Sequence, residues 1–227
     1  MKKSGPDKIF VCCGSGNGEI IEKKSRFIAA VSPAYTQADA EHFIEGIKRK
    51  YRDARHNCYA YITDEGRICR FSDDGEPAKT AGAPIYNLIA SGNIINVCVT
   101  VTRYFGGILL GTGGLVRAYT DAAVKAIKSS TILERHEGFM FKIESDYDYF
   151  GKMQHTALNQ GIYIYDVEYT ENITVTFIAE ASKKQEFIDR LANESSGRIR
   201  VILDEKKFFV EKGGSAAELY PLYRGET

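Results

Sequence analysis

The chain has no apolar run approaching the ~20 residues that span a bilayer, so no membrane-spanning helix and no membrane partner are expected. Its opening, Met1–Pro6, is short and charged, does not read as a secretory leader, and is expected to fray. The five cysteines, Cys12, Cys13, Cys58, Cys69 and Cys98, are an odd number with no repeated spacing. That excludes a disulfide framework and points to reduced thiols in the cytoplasm. Neither a His-x-x-x-His nor a Cys-x-x-Cys pair is present, so nothing suggests zinc. The glycine cluster near residue 110 lacks the Lys-Ser/Thr pair of a phosphate loop and the GxGxxG spacing of a dinucleotide fold. A nucleotide-dependent enzyme is therefore not indicated, and no cofactor is called for. Net charge is absent too: 30 Lys+Arg balance 30 Asp+Glu.

The balance hides an asymmetry. Residues 1–135 carry 19 Lys+Arg against 14 Asp+Glu, and the remainder 11 against 16. A mildly basic front half can face a polyanion.

The front half is organised around Val97–Tyr119. A β-branched run, Val97–Thr102, reads as a buried strand. Leu115, Val116, Tyr119, Ala122, Ala123, Ala126 and Ile127 repeat like the apolar stripe of a helix. Between them lie Gly106, Gly107, Gly111, Gly113 and Gly114. A strand, a glycine-rich turn and a helix start make a natural anion receptor, because leading helical amides lack partners and the helix dipole favours negative charge there. Arg103, Tyr104, Phe105 and Arg117 surround the turn.

Before it, Ile9–Cys13 reads as a strand, residues 14–18 as a flexible glycine loop, and Glu19–Glu22 as a turn or short strand. Lys23, Lys24 and Arg26 lead into a strand over Phe27–Val31, and read either as phosphate clamps or as solvated edge charges. Thr36 caps a helix over 37–51, with Asp39 in its first turn. Residues 54–62 form a strand with His56, Cys58 and Ala60 on one face, followed by a hairpin arm over Arg67–Ser72. Ser72–Pro77 is a turn, and Ala78–Ser91 contains a helix starting near Pro84.

The turn holds Asp73, Asp74 and Glu76, which repel one another unless exposed or neutralised. With His56 nearby they offer either an exposed acidic turn or hard ligands suited to magnesium. His56 and Cys58 are too far apart along a strand for direct proton transfer, so a thiol nucleophile is not favoured.

The back half alternates regularly: a strand over Phe139–Ser145, a helix over Tyr149–Gln160 stopped by Gly161, strands over Ile162–Tyr169 and Ile173–Ala179, a helix capped by Ser182 through Asn193, and a strand over Ile199–Val210. This is the βαββαβ ferredoxin-like pattern. Tyr163, Tyr165 and Tyr169 are expected on one strand face, available for packing or base stacking. Ser129–Gly138 is expected to be the charged connection between domains.

Four ordered motifs carry a resemblance. They are Lys24–Ile28, Ala54–Tyr61, Ser72–Pro77 followed by Thr80–Pro84, and Arg103–Tyr119. Together they resemble the YigZ/IMPACT family. Two departures are Ala78-Lys79, where many relatives have a small residue and glycine, and Leu109-Leu110, where a basic residue often stands. The resemblance implies an α+β protein. Its domain 1–134 would share the fold of a small-subunit ribosomal protein's second domain and of domain four of elongation factor G. Its domain 135–213 would be ferredoxin-like, as in domain five of that factor, with a loose tail over 214–227 in which Leu219–Tyr223 could dock. It also implies a setting in translation, since eukaryotic relatives are translational regulators that carry a further partner-binding domain.

The leading expectation is a non-enzymatic protein binding RNA or a ribosomal component. Lys24, Arg26, Arg103 and Arg117 would contact phosphates, Tyr104 or Phe105 would stack on a base, and the glycine turn would offer its amides. One alternative is an enzyme with His56 as acid/base beside Asp73, Asp74, Glu76 and Arg103, acting on a small anionic molecule, with or without magnesium. The other is a regulator that binds protein alone.

Overall fold

A computed structural model describes residues 8–212 and 215–219, so Met1–Pro6 and the expected docking of residues 220–223 lie outside the described residues. The fold is α+β and divides into two units, residues 1–134 and 135–227.

The first unit begins with β1 (Phe10–Gly14), β2 (Gly16–Glu22), β3 (Ser25–Pro33), α1 (Gln37–Lys50), β4 (His56–Thr63), β5 (Ile68–Ser72) and α2 (Gly82–Ser91). It continues with the two-residue β6 (Ile94–Ile95), β7 (Val97–Tyr104), α3 (Gly111–Ser129) and the start of β8 (Thr131–Ser145). Five strands form an antiparallel sheet in the order β2-β3-β7-β4-β5. The β-branched run makes β7 the central strand, buried from Val97 to Arg103. Beside this sheet, β1 pairs in parallel with β6 and antiparallel with Thr131–Glu134 of β8.

The period of two along β4 sets the layers. Cys58 and Ala60 point toward α2 and α3, while Tyr61 packs with Ala40, Ile44 and Cys98 under α1. Thr36 and Asp39 form a complete capping box at the start of α1. Helix α3 buries Leu115, Ala118, Tyr119, Ala122, Ala123 and Ala126. Its small residues let it ride directly on β2.

That approach corrects the reading of residues 14–18 as a flexible loop. Gly16–Gly18 is strand, and the glycines serve contact rather than mobility. A Cβ at Gly16 would stand 2.4 Å from the Ala126 carbonyl oxygen, and one at Gly18 2.6 Å from the Ala126 nitrogen. Helix α2 starts at Gly82, and α3 at Gly111, one turn before its apolar stripe begins.

In the second unit the rest of β8 is followed by α4 (Phe150–Gln160), β9 (Tyr163–Tyr169), β10 (Ile173–Glu180), α5 (Ala181–Glu194), β11 (Arg200–Lys212) and β12 (Ser215–Leu219). The strand order is β9-β10-β8-β11-β12, all antiparallel. Its first four members are the ferredoxin-like order, with β12 added at the edge. Phe141, Ile143, Met153, Phe177, Phe187 and Leu191 fill its core. Gly161 ends α4 with a left-handed backbone, φ 63°.

Several expectations change here. Ser129–Gly138 is no loop, since β8 runs unbroken from Thr131 to Ser145. Glu180, rather than Ser182, stands at the cap position of α5, and no side chain caps it. Residues 215–219 pair with β11 instead of being loose. The register of β9 shifts opposite Thr176 and Phe177, which breaks the period of two on that strand. Tyr163 then meets Phe209 edge-to-face while Tyr169 packs against Tyr147 and Phe150, so these two tyrosines do not share one face.

Candidate nucleic-acid interface

The candidate corner lies where β7 hands over to α3. It is fixed by the hairpin of β2 and β3, whose turn is Lys23-Lys24. Both lysines have left-handed backbones, φ 45° and 64°, in a two-residue loop between the partners Glu22 and Ser25. Such primed turns favour asparagine and glycine, and a lysine there is strained. Both lysines are exposed.

Gly106 lies against this turn. A Cβ there would come within 2.0 Å of the Lys24 carbonyl carbon, so only glycine fits. The Gly106 amide donates to the buried Ser25 hydroxyl at 3.1 Å. Gly107 and Gly111 have φ of 85° and 70° and are otherwise in open space. Gly113 differs, because an added Cβ would meet nothing within 4 Å and its φ is not positive. The fold does not require a glycine at that position. Its bare backbone belongs to the first turn of α3, which has no side-chain cap and no acidic residue. The amides of Gly111, Thr112 and Gly113 therefore face solvent at the positive end of a 19-residue helix.

Arg117 is exposed one turn further on, in a cleft of about 70 Å³ that Glu22 and Asp121 also line. Phe105, Ile108 and Leu109 are 51%, 42% and 82% exposed, so the loop carries apolar side chains at its tip.

Two of the expected phosphate contacts are engaged elsewhere. Arg103 is buried, and its Nη1 donates to Glu76 Oε1 at 2.7 Å. Its guanidinium stacks between Phe27 and Phe105, at 5.4 and 5.5 Å. Arg103 is thus the internal anchor of the corner and not a surface cation. Its neighbours on β7 alternate faces, so a cation at this register goes inside. Arg26 is exposed but held by Glu19 through two bonds of 2.7 and 2.8 Å. That contact raises the Arg26 pKa and lowers that of Glu19. The Tyr104 hydroxyl donates to Asp53 at 2.7 Å, and this bond is the main cause of its raised pKa.

The carboxylates of the Ser72–Pro77 turn are dispersed. Asp73 caps α2, accepting from the Ala81 and Gly82 amides with Oδ1 and from the Lys79 amide with Oδ2, at 2.8–2.9 Å. Lys79 occupies a left-handed backbone, φ 64°, a conformation that glycine would adopt without strain. Asp74 accepts from the Asn57 amide at 2.6 Å and lies 3.6 Å from the Lys48 ammonium. Glu76 is buried and also accepts from the Tyr119 hydroxyl at 2.8 Å. The turn is therefore neither an exposed acidic patch nor a ligand set, and no metal-holding cluster of three exists among the described residues.

His56 lies opposite Arg103 in the sheet, its Nδ1 2.8 Å from the Asp74 carbonyl oxygen. Since a carbonyl only accepts, Nδ1 carries the proton. The Cys58 thiol is buried, donates to the Asp73 carbonyl at 3.0 Å, and has its pKa pushed up by burial. It is a packed thiol and not a nucleophile.

A further group of cations lies at the end of α1. Lys48, Arg49, Lys50, Arg52 and Arg55 are five exposed cations in eight residues. Three of them end α1 and two lie beyond it, so only the first three fall on a helical face.

This architecture defines a two-domain protein, and each domain matches a known family model: the Impact N-terminal domain over residues 23–127 and a domain of unknown function, DUF1949, over residues 143–198. The chain belongs to the IMPACT family. It is 33% identical to IMPACT family member YvyE of Bacillus subtilis over 190 residues, covering 83% of this chain and 88% of that one. It is 31% identical to IMPACT family member YigZ of Escherichia coli, covering 81% and 92%. A crystal structure described only as a hypothetical protein matches 88% of this chain and 98% of its own, with 28% identity and a TM-score of 0.55. No helix among the described residues is long and apolar enough to cross a membrane.

Proposed function

We propose that this protein binds RNA without catalysis, in the setting of translation, and that the corner between β7 and α3 receives the phosphate backbone. The observation that carries the reading is the open first turn of α3. Its amides have no cap, Gly113 is bare without any demand from packing, and the exposed Lys23, Lys24 and Arg117 flank it. Glycines in a helix cost roughly 1 kcal/mol each against alanine, and two lysines in left-handed conformations add strain. A backbone approached closely by an anion accounts for the glycines, and cationic side chains held toward that anion account for lysine in the turn. Half-exposed Phe105 offers a ring to a base, while Arg103 and Glu76 hold the loop rigid from below. The resemblance to translational regulators supplies the setting. The acid/base reading of His56 loses support because Asp73, Asp74 and Glu76 are each committed to groups of the fold.

The test uses a substitution whose two effects have opposite signs. Gly113→Asp places a carboxylate at the third position of α3, where it complements the helix dipole and removes a flexible residue. Stability should rise by about 0.5–1 kcal/mol. The same charge repels phosphate, so affinity for RNA in fluorescence anisotropy should fall about tenfold or more at low salt. Wild-type affinity should weaken steeply with salt. No binding to single-stranded or structured RNA at low salt would overturn the reading, as would unchanged affinity in the stabilised variant.

A further inference from the structure

The turn after α1 carries more positive charge than its helix explains. Lys48, Arg49 and Lys50 occupy the last turn of α1, where cations complement the negative end of the helix for about 0.3–1 kcal/mol each. Arg52 and Arg55 lie beyond the helix and gain nothing from that effect. The segment closes in a tight turn, with the Ala54 amide donating to the Tyr51 carbonyl at 3.0 Å. All five cations are exposed. Lys48 approaches Asp74 at 3.6 Å, but among the described residues Arg49, Lys50, Arg52 and Arg55 have no carboxylate partner. The one acid within the segment, Asp53, is engaged by the Tyr104 hydroxyl. Unbalanced like charges held this close repel one another unless an external polyanion covers them.

Two aromatic rings stand among the cations. The Lys50 ammonium lies 5.0 Å from the Tyr51 ring centroid. Tyr104 joins the group through Asp53, and its register partner on β3 is Arg26. Arginines that fork onto phosphates, interleaved with rings that stack on bases, suit a single-stranded nucleic acid better than an acidic peptide, which has nothing to stack. Tyr104 also precedes Phe105, so this surface is continuous along the chain with the loop into α3.

We infer that Lys48–Arg55, with Tyr51 and Tyr104, is a second contact surface for single-stranded RNA. It tracks several phosphates along the strand whose backbone also meets the α3 corner. This inference rests on the RNA reading of the first unit and extends it to a new set of residues.

The experiment measures binding of a fluorescein-labelled 12-nucleotide oligouridylate to the full chain, by anisotropy from 50 to 300 mM KCl. The triple variant Arg49→Gln/Arg52→Gln/Arg55→Gln changes only exposed side chains, and its circular dichroism should match wild type. Losing three phosphate contacts should make the slope of log K against log salt shallower by about 2. Affinity at 100 mM KCl should fall 10- to 100-fold. Gly113→Asp added to the triple should weaken binding further. An unchanged slope in the triple, with Gly113→Asp alone still weakening binding, would overturn the second surface and leave the α3 corner standing. Absence of wild-type binding would overturn both. Equal wild-type affinity for polyglutamate of matching charge would overturn the choice of RNA as the partner.

Discussion

Glu76→Ala should destabilise the first unit by about 3–5 kcal/mol, a large share of the 5–15 kcal/mol that holds an ordinary domain together. The Glu76 carboxylate is the acceptor for both the Arg103 guanidinium, at 2.7 Å, and the Tyr119 hydroxyl, at 2.8 Å. All three side chains are buried, and the Arg103 Nε already lacks a partner. Removing the carboxylate leaves a full charge and a hydroxyl stranded between the sheet and α3. Desolvation, rather than lost attraction, sets the size of the effect. The apolar triple variant Arg103→Met/Glu76→Leu/Tyr119→Phe should therefore recover most of the loss, because it removes every group that needs a partner. Urea unfolding of the three proteins, read through hydrogen exchange in β7, checks both results. A loss under 1 kcal/mol in Glu76→Ala would mean that water reaches the pair.

Alkaline pH should unfold the first unit before the second. Burial pushes the Cys12 thiol up to about 12, and raises Cys58 and Cys98 as well. Burial is also the main cause of the raised Tyr119 pKa, with Cys58 next. A folded pKa above the unfolded value means that folding favours the protonated form. That stability is present in full below the unfolded pKa and lost as pH rises. Unfolded thiols ionise near 8.5, so the loss should begin there. Three thiols together should cost about 4 kcal/mol per pH unit until their folded values are reached. All five cysteines lie before residue 135. The second unit has only tyrosines to lose: Tyr163, raised to about 12 by burial and by its bond to Glu211, and Tyr149, raised by burial. Those act only above pH 10. Urea midpoints at pH 7.5, 9 and 10 should fall steeply for the first unit and little for the second. Parallel behaviour of the two units would contradict this account.

Much of the fold was legible because one period dominated each stretch. The alternation along His56–Ala60 located both faces of β4, and Thr36 with Asp39 marked the start of α1. The error over residues 14–18 comes from the close approach of backbones that lie far apart in the chain. Gly16 and Gly18 looked like a loop because the helix that needs them lies a hundred residues later. The same limit applies to the site. A cation at residue 103 reads as a phosphate contact until Glu76, Phe27 and Phe105 are seen to enclose it. Three acids in four residues read as a cluster until Asp73 is found capping α2 and Glu76 pointing into the core. The bare first turn of α3 was legible, because glycine has no side chain whose partner must be known. The Lys48–Arg55 segment was equally visible in sequence, but Asp53 bound to Tyr104, and arginines without a carboxylate partner among the described residues, are seen only in the fold.

Amide chemical shifts report directly on where an anion meets this chain. Titrating ¹⁵N-labelled protein with oligouridylate should shift the amides of Gly111, Thr112, Gly113 and Gly114, and those of Lys23 and Lys24. The amides of β10 in the second unit should stay in place. Saturating RNA that left the first turn of α3 unmoved, while resonances elsewhere shifted, would show that the open helix start is not the receiving site.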